Sequence, residues 1–449
     1  MNRREFLKTA GFAAAGMVAS THGMSAASYS RIMGANDRVN VAVVGYSDRF
    51  RGSLLPAFQA NCQKQNFDII GVSDLWRLRR EEAKSNLETK FGHNIRTYVN
   101  NDKMYEDKDI DAVIISTADF QHALHAAEAA ENGKDAYVEK PFAESMADAK
   151  VAKAAIEKAG TIVQIGSQRR SAPNYHAAND FIRSGKFGDI VMVEMTWNVN
   201  QPGRWRRPNV VPLLKKEDTD WDRYLLNRPK QEFDPRKYLE FRLFWPFSSG
   251  IPGQWMAHQI DTVHWFTGYN YPRSVAANGG IYLWKDGRTN YDTMTAVLDY
   301  GPLDDSGKGF QVVYSSRFTN SAGGTKEIYY SNGGELNLDT NMVSSNGYLT
   351  AREARSMGME ENKLESFSLS DAGPISTDAN TGGDPMTTLH MLNWMECVRS
   401  RKQPNANYMA GYNHSIACLM VTAALRTHEY TVFDAASQEV MAGGKVFRY

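Results

Sequence analysis

The chain of 449 residues carries no net charge, because 51 lysines and arginines balance 51 aspartates and glutamates. Since this balance creates no positive field, a nucleic-acid partner is not expected. Hydrophobic residues make up 42% of the chain and charged residues 23%, proportions typical of a soluble globular protein with a substantial core. The length predicts two or three domains. The three cysteines, Cys62, Cys397 and Cys418, are too far apart in sequence for a zinc knuckle or a C-x-x-C pair, which leaves buried thiols or one disulfide.

The chain begins with a basic segment in which Arg3 and Arg4 are followed by Phe6-Leu7-Lys8. A weakly apolar run rich in Ala and Gly follows at residues 9–20, and it is shorter than the ~20 residues that cross a bilayer. Small residues at 25–27 offer a cleavage site. The pattern predicts a twin-arginine signal peptide over residues 1–27, a periplasmic protein, and no stable membrane insertion after cleavage. An unprocessed basic tail is the alternative.

From residue 39 onward, short β-branched runs alternate with helical patterns, as in a parallel sheet covered by helices. The predicted strands are 39–45, 68–74, 110–117, 136–139 and 161–166. The predicted helices are 54–62, 78–91, 121–132 and 145–159. Residues 39–167 are therefore predicted to form a doubly wound Rossmann domain of the α/β class that binds NAD(P).

Residues 168–449 have longer predicted strands with few helical crossovers between them. This pattern predicts a carboxy-terminal α/β domain with a large open, mostly antiparallel sheet, one face of which is covered. The predicted strands are 190–197, 273–283, 293–300, 310–317 and 327–338, and the predicted helices are 174–184, 389–399 and 412–426. The polar segment 352–386 predicts a long surface loop.

The first predicted strand ends in the turn Gly45-Tyr46-Ser47-Asp48-Arg49, where a dinucleotide pyrophosphate would meet backbone amides and a helix N-terminus. A G-x-G-x-x-G fingerprint requires glycine at 47 and 50, but the chain has Ser47 and Phe50. The turn alone is therefore as typical of an ordinary strand-to-helix connection as of a cofactor loop. The cofactor contacts predicted in this turn are Gly45, Ser47, Asp48 and Arg49.

Asp74 lies at the tip of the second predicted strand, where its carboxylate can accept hydrogen bonds from both ribose hydroxyls and repel a 2′-phosphate. This position favours NAD as the cofactor. Arg77, Arg79 and Arg80 follow closely enough to reverse the preference, so NADP stays an alternative.

Another buried strand ends in Glu139-Lys140-Pro141. Because proline forces its predecessor into an extended conformation, the Lys140 side chain should extend from a stiff backbone at the carboxyl edge of the sheet, where ligands bind. An amine there can hydrogen-bond a substrate hydroxyl and share in its deprotonation, helped if burial lowers its pKa. The alternative is a local ion pair between Glu139 and Lys140 at a strand end.

Four segments occur in the order found in one protein family. They are Thr117-Ala118-Asp119-Phe120-Gln121-His122, Glu139-Lys140-Pro141, Gly166-Ser167-Gln168-Arg169-Arg170 and Trp255-Met256-Ala257-His258-Gln259-Ile260-Asp261. On these segments the sequence resembles the Gfo/Idh/MocA oxidoreductases, and its twin-arginine start resembles their exported branch. The resemblance covers nearly the whole chain after residue 39. It implies a Rossmann domain, a second α/β domain whose open sheet often forms dimer contacts, hence a homo-oligomer, an NAD or NADP cofactor, and a sugar, inositol or polyol substrate.

By resemblance, Lys140 and His258 are the catalytic residues, and Glu139 is the cofactor-side partner of the lysine. The further cofactor contacts implied are Thr117, His122 and Gln168, and the further substrate contacts are Arg169, Gln254, Trp255 and Asp261. Family dehydrogenases usually have an aspartate four residues before the histidine, whereas this chain has Gln254. An amide cannot accept a proton as a carboxylate would, so this substitution puts a simple dehydrogenase mechanism in question.

His258, Asp261 and His264 recur every third residue, a spacing that would also place three metal ligands on one broad helix face. No other part of the sequence supplies a matching set of ligands, so cofactor and sugar contacts are preferred and no metal is predicted.

The sequence thus predicts hydride transfer between a sugar hydroxyl carbon and a nicotinamide, with Lys140 and His258 handling the hydroxyl proton. Because an exported enzyme cannot rely on free NAD, the cofactor is expected to be tightly retained. Redox-assisted cleavage of a glycoside is one alternative, in which transient oxidation acidifies a neighbouring C–H bond. A sugar-binding protein without catalysis is the other.

Overall fold

The computed structural model describes residues 38–200, 203, 205–369 and 384–448. The predicted signal peptide, residues 1–27, lies outside the described residues. Two β-sheets with associated helices organise the described chain, one entirely parallel and one mixed but mostly antiparallel. This arrangement confirms the predicted α/β class and the nature of both sheets. No helix among the described residues is both long enough and apolar enough to span a bilayer.

The first sheet has six strands. They are β1 Val39–Val44, β2 Phe67–Ser73, β3 Arg96–Tyr98, β4 Ala112–Ile115, β5 Asp135–Val138 and β6 Val163–Ile165. All neighbours pair in parallel, in the order β3-β2-β1-β4-β5-β6. The chain moves outward from β1 to β3 and then returns to β4 on the other side of β1. Doubly wound sheets bind dinucleotides at this reversal, at the carboxyl ends of the strands.

Five α-helices connect these strands. They are α1 Leu55–Gln65, α2 Arg77–Phe91, α3 Asn101–Tyr105, α4 His122–Glu131 and α5 Met146–Ala159. The predicted start of α5 is confirmed, because the Ser145 hydroxyl accepts a hydrogen bond from the Asp148 amide at 3.1 Å. The helix ends at Gly160, whose φ of 64° suits glycine in a left-handed cap. One π-helical turn, Phe50–Leu54, precedes α1.

The second sheet has eleven strands. They are β7 Ile190–Trp197, β8 Ser274–Gly280, β9 Thr293–Tyr300, β10 Phe310–Arg317, β11 Thr325–Ser331, β12 Gly334–Asn337, β13 Met342–Ser344, β14 Phe367–Ser368, β15 Thr431–Asp434, β16 Glu439–Ala442 and β17 Lys445–Val446. Their order is β14-β13-β12-β11-β7-β10-β9-β8-β15-β16-β17. Within it β7 and β10 pair in parallel, and the other pairs recorded are antiparallel.

Seven further α-helices belong to the second half of the chain. They are α6 Pro173–Arg183, α7 Trp221–Leu225, α8 Pro235–Leu239, α9 Ala257–Thr267, α10 Ala351–Ser356, α11 Pro385–Ser400 and α12 Tyr408–Thr427. Helix α12 is buried along most of its length because it packs against β6 of the first sheet and β8 of the second. Helix α11 returns to the first domain, where Trp394 packs against Tyr137 and Phe67. The Rossmann core is thus completed from beyond the predicted domain boundary.

Several predicted elements need correction. The single strand predicted over 327–338 is a hairpin, because Asn332 and Gly333 turn the chain between β11 and β12. Within the loop predicted over 352–386, α10 and β14 are present, and Thr350 and Glu353 form a capping box at the start of α10. The short strands β3, β13, β15, β16 and β17 were not predicted. All three cysteines are buried and free, so the disulfide alternative is not observed.

Candidate active site

A cavity of about 300 Å³ lies at the carboxyl edge of the first sheet, where the strand order reverses, and extends to the second domain. Its size is within the range of small-molecule sites. The turn after β1 and Asp74 line one part, and Lys140, Trp255 and His258 line another. The predicted contacts found in its walls are Gly45, Ser47, Asp48, Arg49, Asp74, Thr117, His122, Glu139, Lys140, Gln168, Arg169, Gln254, Trp255 and His258.

Local contacts explain why the turn after β1 has glycine at position 45 and other residues at positions 47 and 50. Gly45 has a φ of 82°, and a Cβ there would lie 2.8 Å from the Thr117 methyl group, so glycine is needed. The Ser47 hydroxyl accepts a hydrogen bond from the Phe50 amide at 3.2 Å. Phe50 itself is fully buried in the core between sheet and helices. Serine and phenylalanine therefore stabilise the entry to the helix where the fingerprint would have glycine.

Asp48 is held over this turn by arginines from both domains. Its Oδ2 lies 2.8 Å from a guanidinium nitrogen of Arg207, and Arg51 contacts the other oxygen. Although burial would raise the pKa of Asp48, these two guanidinium groups lower it below its usual value. The ion pair with Arg207 joins the second domain to the cofactor turn.

The Asp74 carboxylate lies at the end of β2 and lines the cavity. It accepts hydrogen bonds from the Tyr46 and Trp76 amides, both at 2.9 Å. Burial raises the pKa of Asp74, against the lowering effect of these two bonds. The carboxylate thus holds the turns after β1 and β2 together at the place predicted for the adenosine ribose.

The three arginines after Asp74 have different roles. Arg77 pairs with Asp218 at 2.9 Å, and Arg80 donates to the Asp74 main-chain carbonyl at 2.6 Å. Arg79 alone of the three lines the cavity, and it pairs with Glu82 at 2.7 Å. Two of the arginines that could favour NADP are therefore committed elsewhere.

Replacing Asp74 with alanine should weaken NAD binding more than NADP binding, because only the 2′-hydroxyl form gains from the carboxylate. Loss of the bonds to the Tyr46 and Trp76 amides weakens both cofactors, so the ratio of the two dissociation constants is the informative quantity. Isothermal titration of the variant, with Asp434→Ala as a control outside the cavity, provides that ratio. An unchanged NAD to NADP ratio would remove Asp74 from the ribose site.

Glu139 forms its ion pair with Arg49 rather than with Lys140. The Arg49 Nε lies 2.8 Å from Glu139 Oε1, and the carboxylate is 5% exposed. Burial would raise the pKa of Glu139, but Arg49 overcomes this effect and lowers it. The alternative of a local Glu139–Lys140 ion pair at a strand end is therefore wrong, and the Lys140 ammonium is left available.

Lys140 extends from the end of β5 toward the second domain. Its Nζ donates a hydrogen bond to the main-chain carbonyl of Gln254 at 2.6 Å. Burial lowers the pKa of Lys140 to about 8, although the charges of Glu139 and Asp119 oppose the change. An amine with this pKa exists in both protonation states near neutral pH, as proton transfer requires.

His258 lies in the first turn of α9 and is 8% exposed. Among the described residues its imidazole has no hydrogen-bond partner, and it lines the cavity. Burial, followed by the charges of Lys140 and Arg169, lowers the pKa of His258 well below its usual value. At neutral pH the ring is therefore an uncharged proton acceptor within electrostatic reach of Lys140.

Aromatic rings flank this pair. Trp255 stacks on Trp197 with ring centroids 4.9 Å apart, and Trp197 lies 5.7 Å from the His258 ring. Trp205 continues the stack at 6.2 Å from Trp255 and also lines the cavity. Flat apolar rings beside hydrogen-bonding groups suit the face of a sugar.

His122 lines the cavity, and each of its ring nitrogens lies near a main-chain carbonyl. Nδ1 lies 2.8 Å from the Pro141 carbonyl, and Nε2 lies 3.2 Å from the Thr117 carbonyl. Burial lowers the pKa of His122. Because a neutral imidazole has one N–H, the ring donates to only one of these two carbonyls.

Residues 39–167 match the profile of the Gfo/Idh/MocA oxidoreductases, described as an oxidoreductase family with an NAD-binding Rossmann fold. This match covers the amino-terminal domain, which is less than half of the chain. The matched family binds NAD, which is the predicted cofactor. Scyllo-inositol 2-dehydrogenase (NAD+) of Bacillus subtilis is 41% identical over 86 residues, which are 19% of this chain and 25% of that protein. Inositol 2-dehydrogenase of Salmonella typhimurium is 25% identical over 213 residues, or 47% of this chain and 60% of that protein. The chain thus spans between a quarter and three fifths of these relatives.

Solved structures extend the likeness of fold to both domains of the chain. Levoglucosan dehydrogenase in complex with NADH and levoglucosan superimposes with a TM-score of 0.61 at 15% identity, covering 88% of this chain and 98% of that one. Aldose-aldose oxidoreductase from Caulobacter crescentus gives a TM-score of 0.57 at 17% identity, covering 88% and 100%. At these identities the similarity establishes the architecture alone.

The residues of the amino-terminal domain fit an NAD molecule. The Gly45 turn, the Asp74 carboxylate and the reversal of strand order coincide at one edge of the sheet. In addition, Thr117 Oγ1 and Gln168 Oε1 are buried without a hydrogen-bond partner among the described residues, and both side chains line the cavity. Buried polar atoms are rarely left unpaired, so a ligand with hydroxyl and amide groups accounts for them.

The substrate contacts predicted at Asp261 and Arg169 have different outcomes. Asp261 is wrong, because both of its oxygens bind the Arg170 guanidinium, at 2.8 and 3.0 Å, and it does not line the cavity. Arg169 does line the cavity, but its guanidinium also pairs with buried Glu327. The metal alternative involved His258, Asp261 and His264, and His264 bonds the Tyr300 hydroxyl at 2.9 Å. In the described ranges no group of three or more His, Cys, Asp or Glu side chains is arranged to hold a metal ion.

Gln254, the departure from the family pattern, is fixed at both ends of its amide. Its Nε2 donates to Asp119 Oδ2, and its Oε1 accepts from Arg242 Nε at 2.8 Å. These contacts require a donor on one side and an acceptor on the other, which an amide provides. Sequence reasoning missed both partners. Asp119 lies within the Thr117 to His122 motif, which is the one signal that could have identified it.

Proposed function

We propose that this chain is an exported, NAD-dependent oxidoreductase that oxidises a hydroxyl group of a sugar or related polyol and retains its cofactor tightly. The relatives named for inositol and levoglucosan support a polyol or sugar substrate. The adjacent arginines at positions 3 and 4 support export by the twin-arginine route. An exported enzyme that keeps its cofactor through dilution needs about nanomolar affinity, or roughly 12 kcal/mol.

One observation carries this proposal: the Lys140 amine and the His258 imidazole share one cavity with the NAD-binding turn, and both have lowered pKa values. Neither side chain is neutralised by an ion pair, since Glu139 pairs with Arg49. Two proton acceptors beside a stack of tryptophan rings suit a sugar hydroxyl. A binding protein without catalysis would have no need of a lysine with a pKa of about 8.

The residues act on the substrate in the following way. The sugar ring packs on the Trp255 side of the cavity, with its reacting hydroxyl directed at Lys140 and His258. The hydroxyl proton is shared between Lys140 Nζ and the His258 imidazole, both of which hold a lone pair above about pH 8. When bound, NAD+ supplies the hydride acceptor for the carbon that becomes a carbonyl. Trp205 and Arg207 of the second domain line the same cavity.

A panel of aldoses, inositols and glycosides tests this function, with absorbance at the reduced nicotinamide band as the readout. Formation of one reduced nicotinamide per oxidised sugar is expected, in single turnover if the cofactor stays bound. The Gln254 amide, in place of a family carboxylate, favours redox-assisted glycoside cleavage as a second candidate. Release of the glycosidic leaving group with no net reduction of NAD would show that the reaction is redox-assisted cleavage and not net oxidation.

A further inference from the structure

Asp119 is a buried carboxylate that has no direct role in the proposed reaction. It begins a short 3₁₀ turn, Asp119–Gln121, after β4, and it is fully buried behind the cavity wall. Its Oδ2 accepts hydrogen bonds from the Ser248 hydroxyl at 2.6 Å and from the Gln254 amide. Its Oδ1 has no hydrogen-bond partner among the described residues and lies 3.9 Å from an Arg242 nitrogen. A carboxylate in such a place is costly unless it is compensated by charge and hydrogen bonds.

A continuous set of contacts joins Asp119 to Lys140. Asp119 fixes the side-chain amide of Gln254, and the main-chain carbonyl of the same residue accepts the hydrogen bond from Lys140 Nζ at 2.6 Å. Arg242 holds the other end of the amide. Loss of the Asp119 contact would therefore free one end of the Gln254 side-chain amide, and the main-chain carbonyl of Gln254 holds the lysine amine.

A second buried carboxyl group nearby provides a contrast. Glu144 is 1% exposed, and its Oε1 accepts a hydrogen bond from the Ser249 hydroxyl at 3.1 Å. Burial and then the charge of Asp119 hold the pKa of Glu144 well above its usual range, so it is uncharged at neutral pH. Glu144 makes no hydrogen bond to Gln254 or to Lys140 in the described structure. Asp119, and not Glu144, is therefore the buried carboxyl group that contacts the Gln254 side chain.

We propose that Asp119 is a positioning residue for the proton-transfer step: through the Gln254 amide it seats the Lys140 amine, and it supplies the negative charge that position 254 lacks. This inference rests on the proposed function of Lys140. Asp119 itself does not touch the substrate, since it is absent from the cavity wall. Gln254 thus connects the Asp119 carboxylate to the Lys140 amine, through its side-chain amide on one side and its main-chain carbonyl on the other.

Charged and titratable groups face Lys140 from several elements. The charges of Glu139, Asp119, Arg242 and Arg49 act on the pKa of Lys140. Lys140 in turn acts on the pKa values of His258, His414 and Cys418. Of the two carboxylates among them, Glu139 is compensated by Arg49. Neutralising Asp119 should therefore lower the pKa of Lys140 further.

Asp119→Asn tests the inference, and Glu144→Gln is the matched control for a buried carboxyl group. In Asp119→Asn, turnover should fall roughly 10- to 100-fold with cofactor affinity unchanged, because the lysine is misplaced. The rising limb of the oxidation rate near pH 8 should move to lower pH, because less negative charge faces the amine. In Glu144→Gln this limb should stay where it is. Adding Gln254→Glu to Asp119→Asn returns a carboxylate to the same hydrogen bond and should recover much of the turnover.

A second readout does not depend on turnover. Acylation of Lys140 in the resting protein, followed against pH by peptide mass, should show half-labelling at lower pH in Asp119→Asn than in the wild type. Ser248→Ala, which removes one bond to Asp119, should shift labelling in the same direction by less, and it serves if Asp119→Asn does not fold. No shift in either variant, or an equal shift in Glu144→Gln, would overturn the role of Asp119. A labelling shift in a protein that oxidises no sugar would support this role while contradicting the proposed function.

Discussion

Lys140→Ala is expected to lower the rate of sugar oxidation at least about a hundredfold, the usual effect of losing a positioned proton-transfer group. Cofactor affinity and thermal stability should change little, because the Glu139–Arg49 ion pair stays in place when the amine is removed. Steady-state kinetics with reduced nicotinamide absorbance provides the rate, and titration with NAD provides the affinity.

Lys150→Ala is the matched control, since Lys150 pairs with Glu439 at 2.6 Å away from the cavity. This partly buried pair should contribute about 1 kcal/mol to stability and nothing to the rate, and Glu439 keeps Arg448 as a partner when Lys150 is removed. If Lys140→Ala keeps the wild-type rate over the whole pH range, Lys140 is a strand-end residue and has no part in the chemistry.

His258→Ala is expected to reduce oxidation by two to four orders of magnitude, about the full contribution of a general base. The neutral imidazole is the acceptor available at pH 7, because burial and the charges of Lys140 and Arg169 hold the pKa of His258 far below neutrality. Below pH 8 the loss should be most severe, since Lys140 is then largely protonated. Measurement of kcat and of kcat/KM between pH 6 and 10 would show this difference.

His264→Gln separates the chemistry of His258 from its place on α9. His264 lies on the same helix, is equally buried and bonds Tyr300, but it does not line the cavity. Any loss in His264→Gln should come with lower stability, whereas His258→Ala should stay folded with normal NAD affinity. Equal rates in His258→Ala and the wild type would exclude both oxidation and redox-assisted cleavage by this histidine.

Much of the fold could be predicted because its signals are local. The buried strands β1, β2, β4 and β5 consist of short apolar runs bounded by turn residues, so their positions follow from the sequence. The edge strands β3 and β17 are short and largely exposed, and such strands give almost no hydrophobic pattern. Their pairing depends on a neighbour rather than on their own residues.

The site was predictable where it follows strand ends, and less so where partners come from distant segments. Lys140 follows β5 directly, and a proline sets its backbone. Asp261 shares a helix with His258, but its partner is Arg170, 91 residues away. In the same way, Asp119 meets Gln254 across 135 residues. Spacing along one element cannot reveal which carboxylate a distant arginine or amide will engage.

The nicotinamide content of the purified protein is the most direct test of the central claim that the cavity from Gly45 to His258 holds NAD for chemistry at Lys140. The protein would be purified without added cofactor and denatured, and the released dinucleotide identified by absorbance and mass. Close to one NAD per chain is the predicted result, with NADP a minor fraction. A folded protein that releases no nicotinamide and binds neither added NAD nor added NADP would contradict it.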